Sequence, residues 1–287
     1  MILEELIHKR FISSESLVKR LALFNGAPAV FSPEPPDESQ EGWSGSAQYP
    51  RIIYNFDMQA NEERHSAGTL SVFLLCQNTT EIIPEAIEPL VRDCLRDVIL
   101  KPSEGAPYCF AWARTDAFTI DEKKGSVTIG SEIRFDILEY TSQETSDPDP
   151  IMAVNQYIKG LYPECMVMGY DRMEEITEAS VERPVAYCRL ISMEKAEETN
   201  TVTWMDGKIS VHILCPESET RQKTVAAIVN KMSLDGEIIM LDHSPMFLRR
   251  LQADYKSDYL RSGQIFLTGH YGLLRYRAKL HAIKRLV

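Results

Sequence analysis

The chain has 287 residues and a formal net charge of −11, with 31 basic and 42 acidic side chains. This length predicts two domains of about 140 residues each. The acidic balance argues against nucleic acid as a bulk surface partner, because phosphate contacts require an excess of Lys and Arg. The first residues are acidic and no apolar run approaches the ~20 residues of a membrane span, so we expect neither a secretory leader nor a membrane anchor.

The N-terminal residues show a helical pattern in which Ser13 or Ser14 can provide the cap and the apolar residues of segment 17–22 the buried stripe. An apolar pair at residues 30–31 then predicts a short strand. Next, residues 32–46 contain three prolines among acids and serines, which predicts a surface loop.

Trp43 lies in the middle of this loop. One interpretation is that its indole folds back onto its own domain. The other is that it anchors a neighbouring subunit, since Trp is enriched where interfaces concentrate their energy. On the second interpretation Trp43 is a candidate interface residue.

A repeat is the strongest pattern in the chain. Residues 68–76 read Gly-Thr-Leu-Ser-Val-Phe-Leu-Leu-Cys, and residues 207–215 read Gly-Lys-Ile-Ser-Val-His-Ile-Leu-Cys. Both stretches predict strands, and each is followed by a polar turn and a helical pattern. A strand at residues 51–58 is expected to pair antiparallel with residues 68–76. We therefore predict that an ancestral unit was copied end to end.

The rest of the first half predicts a helix at residues 84–100, with apolar side chains at helical spacing, and alternating strands at residues 108–112 and 125–137. Residues 141–149 are polar and acidic, which is typical of a linker. The expected domains are therefore residues 1–140 and residues 150–287.

In the second half, Asp149 and Pro150 predict a helix start. Residues 165–168 correspond to the short strand of the first half, and the acidic residues 193–206 are expected to form a long hairpin loop. Residues 225–232 then carry a helical stripe.

Two further parts of the second half are interpreted through the repeat. Residues 263–269 are matched to residues 125–130 with one insertion. The residues after Ser244 and Pro245 have a helical spacing, but the repeat predicts a strand there, and local propensity is a weak prior against topology. The predicted fold class is α+β, with two similar domains, each a mainly antiparallel sheet with helices packed on one face.

No catalytic constellation is found. Asp242, His243 and Ser244 are adjacent, so they cannot form a nucleophile–base–orienter line and predict a turn. Six cysteines in a chain without an export signal are expected to be reduced and mostly buried. No Cys/His cluster indicates a metal. We therefore expect no enzyme activity and no catalytic, cofactor-binding or metal residues.

Basic residues form one further candidate. Arg249 and Arg250, with the basic tail of residues 275–285, can face phosphate or form an inter-subunit surface. Arg249 and Arg250 are therefore named beside Trp43 as candidate interface residues.

The order of elements resembles the tail-terminator, or tail-completion, family of long-tailed bacteriophages and prophages. The resembling features are the leading helix, residues 26–31 (Gly-Ala-Pro-Ala-Val-Phe), the Pro-rich loop, residues 50–54 (Pro-Arg-Ile-Ile-Tyr), the hairpin into residues 71–76, the helix from Pro84, and the apolar strand from Gly263 through Tyr271.

The resemblance implies a non-enzymatic structural virion protein without a cofactor. Such a protein forms a ring that caps the tail tube and meets the neck or head–tail connector, so its partners are itself, the tube and the connector. It would be found in the host bacterial cytoplasm during assembly and then in the virion tail. Family members usually have one domain and form six-membered rings. We therefore expect three chains of this homo-oligomer to supply six domains in a pseudo-six-fold ring. Alternatively, the second domain has diverged and decorates a smaller assembly.

Two other classes stay open. One is a tail tube or neck protein of the same lineage, which would polymerise or join the connector. The other is an enzyme or small-molecule binder with a cleft between the two domains, a common place for pockets.

Overall fold

The structure is a computed structural model that describes residues 1–37, 40–59, 66–78, 81–121, 127–142 and 146–275. Within these ranges the chain is a mixed α+β protein. It divides into two compact units: unit 1 comprises Met1–Thr141 and Met173–Ala179, and unit 2 comprises Ser142–Arg172 and Ser180–Val287.

The elements follow one another along the chain, with a 3₁₀ turn at Gly45–Gln48 between β3 and β4. Up to the linker they are α1 (Leu3–Ser13), α2 (Glu15–Val18), β1 (Leu23–Phe24), β2 (Ala27–Pro28), β3 (Val30–Phe31), β4 (Arg51–Met58), β5 (Gly68–Gln77), α3 (Pro84–Leu95), β6 (Val98–Leu100), β7 (Tyr108–Asp121) and β8 (Val127–Glu139). After it they are α4 (Pro150–Leu161), β9 (Met166–Val167), β10 (Ile176–Glu178), β11 (Val185–Glu198), β12 (Val202–Leu214), α5 (Ser218–Asp235), β13 (Glu237–Ile239), β14 (Pro245–Ala253) and β15 (Ile265–Leu274).

Unit 1 is built on a seven-stranded sheet of order β10-β6-β7-β8-β5-β4-β3. Neighbouring strands are antiparallel except β3 and β4, which are parallel. Leu70, Val72 and Leu74 of β5 point into a core that also contains Ile7 of α1 and Val91 of α3. This period-two alternation is why residues 68–76 form a strand with one face under the helices.

Unit 2 is built on a six-stranded sheet of order β13-β14-β15-β12-β11-β9. Its neighbours are antiparallel except β9 and β11, which are parallel. Val211 and Ile213 of β12 share a core with Val154 of α4 and Ile228 of α5. Helix α4 begins as predicted, since Asp149 Oδ1 accepts the backbone N–H groups of the first turn at 2.8 and 3.2 Å.

The six strands of unit 2 occupy the same order as six strands of unit 1: β9, β11, β12, β15, β14 and β13 take the places of β3, β4, β5, β8, β7 and β6. The register corrects one expected match. Val72 faces Ile133 in unit 1 and Val211 faces Ile265 in unit 2. Residues 263–269 therefore correspond to residues 131–137, and the match to residues 125–130 is wrong. Gly125 itself lies outside the described residues.

Two helix predictions need correction. The N-terminal helix, Leu3–Ser13, precedes Ser14, which is the N-cap of only the four-residue α2. The predicted helix at residues 84–100 ends at Leu95, and Val98–Leu100 forms a strand. Asp97 has a φ of +53°, a left-handed conformation that ends the helix and turns the chain.

The acidic residues 193–206 form a hairpin rather than a long loop. Strands β11 and β12 stay paired as far as Glu198 and Thr203, with irregularities after Leu190 and Lys195. The side chains of β11 beyond Leu190 are exposed, so no apolar alternation marked this part of the strand. The strand predicted after Ser244 is confirmed as β14.

Candidate functional site

Trp43 is fully buried within unit 1. Its ring centroid lies 5.0 Å from that of Phe24 and 5.5 Å from that of Phe31, both edge-on, and its backbone carbonyl accepts a 2.9 Å hydrogen bond from Gln48 Nε2. The Pro-rich loop thus folds back, the first of the two interpretations. The indole itself offers no surface to a neighbouring subunit.

Arg249 is half-exposed on β14 and is neutralised by acidic neighbours. Its Nη1 lies 3.4 Å from Asp206 Oδ2, and its Nη2 lies 3.9 Å from Glu197 Oε1. Arg250, the next residue, is exposed opposite Thr268. The two arginines therefore have different surroundings, and Arg249 makes its ion pairs within its own unit. The basic side chains of the tail beyond Arg275 lie outside the described residues.

Arg249 belongs to a polar cluster that the sequence did not reveal. His270 Nδ1 lies 2.7 Å from Asp206 Oδ1, and Arg249 Nη2 lies 2.9 Å from His270 Nε2. The buried imidazole also stacks on Trp204, with centroids 4.8 Å apart and planes 6° apart. Because Arg249 donates to Nε2 and Asp206 contacts Nδ1, both ring nitrogens are engaged within the cluster. The cluster ties β12, β14 and β15 together, which is a structural role.

Burial shifts the pKa of three other ionisable groups. Burial raises the pKa of Cys76 and Cys165 to about 12 and lowers the pKa of His212 to about 4. The Asp242–Ser244 stretch is a turn, since the Ser244 hydroxyl donates to Asp242 Oδ1 at 2.7 Å. Within the described ranges, no group of three or more His, Cys, Asp or Glu side chains is placed to hold a metal ion.

An open apolar hollow lies on the face of the unit 1 sheet away from the helices. Phe73 and Leu75 point into it because they alternate along β5 with the core-facing Val72 and Leu74. The hollow has a volume of about 490 Å³ and is lined by Ile53, Phe73, Leu75, Asp116, Phe118, Ile120 and Glu132. A signal was present in the sequence: residues 72–75 are all apolar, which is typical of a strand covered on both faces.

Charged side chains form the rim of this apolar hollow. The guanidinium of Arg134, which donates to Glu132 at 2.6 and 2.9 Å, holds the pKa of that carboxyl below its usual range. Asp116 pairs with Arg114 at 3.0 Å. The hollow therefore combines an apolar floor with an ionic rim.

Glycine shapes the floor of the hollow. A Cβ on Gly130 would lie 2.5 Å from Phe118 Cζ, so only glycine lets the aromatic ring lie against the strand. The ring centroids of Phe73 and Phe118 lie 6.4 Å apart in an edge-to-face arrangement. Ile120 remains 50% exposed. The hollow is therefore a formed feature of the sheet surface.

No family model, curated protein or solved structure matches this chain. In addition, no helix among the described residues is both long enough and apolar enough to cross a membrane.

Proposed function

We propose that this chain is a structural virion protein of the tail-terminator type, which associates with copies of itself into a ring that caps a phage tail tube and meets the connector. One observation carries the proposal: six strands in each unit follow the same order, with the same single parallel pair. This order supports a duplicated ancestral unit. Repeated units joined head to tail close into a ring when the rotation per unit is right.

The apolar hollow supports a partner at this surface. Apolar surfaces with a polar rim often mark interaction sites, and this hollow has such a rim. Ile120, which is 50% exposed, and the half-buried Phe118 lie on the long β7–β8 hairpin. A tail tube or connector protein docking on this hairpin would bury them.

The ionisable groups support a binding role rather than a chemical one. His270 is held between Asp206 and Arg249, and the thiols of Cys76 and Cys165 are protonated at neutral pH because burial raises their pKa to about 12. A buried, protonated thiol is a poor nucleophile, because the thiolate is the reactive form.

Negative-stain electron microscopy of the purified full chain tests the proposal. We expect discrete rings with pseudo-six-fold symmetry. Long tubes in place of rings would assign the chain to the tube proteins of the same lineage instead. Particles no larger than a single chain at the highest attainable concentration would overturn the proposed function.

A further inference from the structure

The two sheets differ at one end. In unit 1, strand β6 pairs with β7 on one side and with β10 on the other. In unit 2, the corresponding strand β13 pairs with β14, and no described residue pairs with its other side. The same edge is therefore covered in one sheet and open in the other.

Strand β10 shows how such an edge is covered. Thr177 lies opposite Ile99, Lys101 N–H donates to Glu175 C=O at 2.8 Å, and Ala179 N–H donates to the C=O of Asp97, just before β6, at 3.0 Å. Ile176 packs against the core of unit 1. This strand comes from Met173–Ala179, which lies between β9 and β11 in the sequence.

Acidic residues of the added strand are neutralised by α1. Arg10 Nη2 lies 2.6 Å from Glu178 Oε1, and Lys9 Nζ lies 3.6 Å from Glu175 Oε2. The covered edge thus combines backbone pairing, apolar packing and ion pairs, the usual composition of strand addition.

The backbone of β13 is oriented to accept a strand in the same way. Leu248 N–H donates to Gly236 C=O, and Met240 N–H donates to Ser244 C=O, both at 2.9 Å. The backbone N–H and C=O groups of the even-numbered residues in and beside β13 therefore face β14. Since backbone groups alternate along a strand, the N–H and C=O groups of Glu237 and Ile239 face the open side.

Apolar side chains surround this open edge. Ile239 is 52% exposed, Leu241 is 53% exposed and Phe247, which lies opposite Glu237, is 40% exposed. An open edge with exposed apolar side chains is a template for pairing with another chain. Natural proteins usually cover or charge such an edge, as unit 1 does with β10.

We propose that the β13 edge accepts an extended segment of a second copy of this chain, and that this segment is Ser32 to Asp37, between β3 and β4. The inference rests on the proposed ring function and names the contact that closes the ring. The β3–β4 connection occupies the same place in unit 1 as the β9–β11 connection in unit 2. The two connections contain 19 and 17 residues.

The proline content of the segment suits an edge. In an extended chain the N–H and C=O of Glu34 and the C=O of Pro36 lie on one side, where they pair with the backbone groups of Ile239 and Glu237. Pro33 and Pro35 then face the other side, where they offer no N–H, so a further strand would lack its donors. Pairing stops after one added segment, which favours a closed ring over an open aggregate. Glu34 and Asp37 carry the same charge as Glu237, so salt that screens them favours the contact.

Cross-linking between two variants that each gain one cysteine, Pro35→Cys and Glu237→Cys, tests the proposal. The six native cysteines are all buried, so they need not be removed. A short bismaleimide should cross-link the 1:1 mixture into covalent dimers and leave each variant alone uncross-linked. A Glu237→Cys chain that cross-links to itself would mean that two identical edges pair, and would overturn the proposal.

A ring seen by light scattering without the mixed cross-link would also overturn the proposal, while the ring function would survive. If neither a ring nor a cross-link forms, the edge proposal and the ring function are both overturned. In addition, Ile239→Pro removes the outward N–H without breaking a bond to β14, whose Pro245 lies opposite. We expect it to raise the concentration at which the ring dissociates at least tenfold, and the control Ile239→Thr, which keeps the N–H, to raise it less. Equal dissociation of wild type and Ile239→Pro would contradict the proposal.

Discussion

Replacing Thr177 by proline tests how much strand addition stabilises the edge of unit 1. The hydrogen bonds made by Glu175 and Ala179 fix the register, so the N–H of Thr177 faces β6 and meets the carbonyl of Ile99. Proline at position 177 removes that donor. Ile99 is fully buried, so its carbonyl is left without a partner and without water.

The magnitude follows from these two losses. The hydrogen bond contributes about 1 kcal/mol net, and a buried carbonyl left unsatisfied costs about 1–3 kcal/mol. We expect Thr177→Pro to lower the free energy of unfolding by about 2–4 kcal/mol. Glu178→Pro is the matched control, because the N–H of Glu178 points away from β6. It removes the partly exposed ion pair with Arg10, which is worth about 0.2–1 kcal/mol.

Urea unfolding followed by circular dichroism gives the two free energies, and hydrogen exchange localises the change. The amides of residues 97–101 should lose protection in Thr177→Pro and retain it in Glu178→Pro. If the two prolines lower stability equally, or if protection at residues 97–101 does not change, β10 does not stabilise this edge through its backbone.

Three further predictions concern buried groups. Burial lowers the pKa of His212 to about 4 from about 6.5 in an unfolded chain, so the unfolded state binds more protons between these values. Stability should therefore fall by up to about 3 kcal/mol as pH drops through this window, and His212→Gln should show a smaller fall in urea titrations at pH 7 and 4.5. Burial raises the pKa of Cys165 to about 12, so mass spectrometry should find no iodoacetamide adduct at pH 8 until urea unfolds the chain. A Cβ on Gly263 would lie 2.3 Å from Ser210 Oγ at a φ of +82°, so Gly263→Ala should cost more in urea unfolding than Gly236→Ala, where φ is +71° but the space is open; equal costs would contradict the steric argument.

Features set by local periodicity were predictable from the sequence. The paired strands at residues 51–58 and 68–76, the Asp149 cap and the stripe of α5 follow from alternation, capping chemistry and helical spacing. In β14, where local spacing suggested a helix, the repeat predicted the strand because its pairing partners are fixed by topology.

The features that were missed depend on distant partners. Strand β10 has three residues, too few to show a period, and it forms because β6 offers an edge. The sequence placed it with residues 150–287, whereas the structure includes it in unit 1. The cluster of Asp206, Arg249 and His270 joins three strands, so no short motif reveals it. The burial of Trp43 depends on its loop folding back against Phe24 and Phe31, which no local pattern shows.

Sedimentation velocity of the full chain over a wide concentration range tests the central claim, that copies associate head to tail through repeated units. We expect a discrete particle of three chains, each of 32.7 kDa, that persists on dilution. A species with the mass of one chain at every concentration would contradict it.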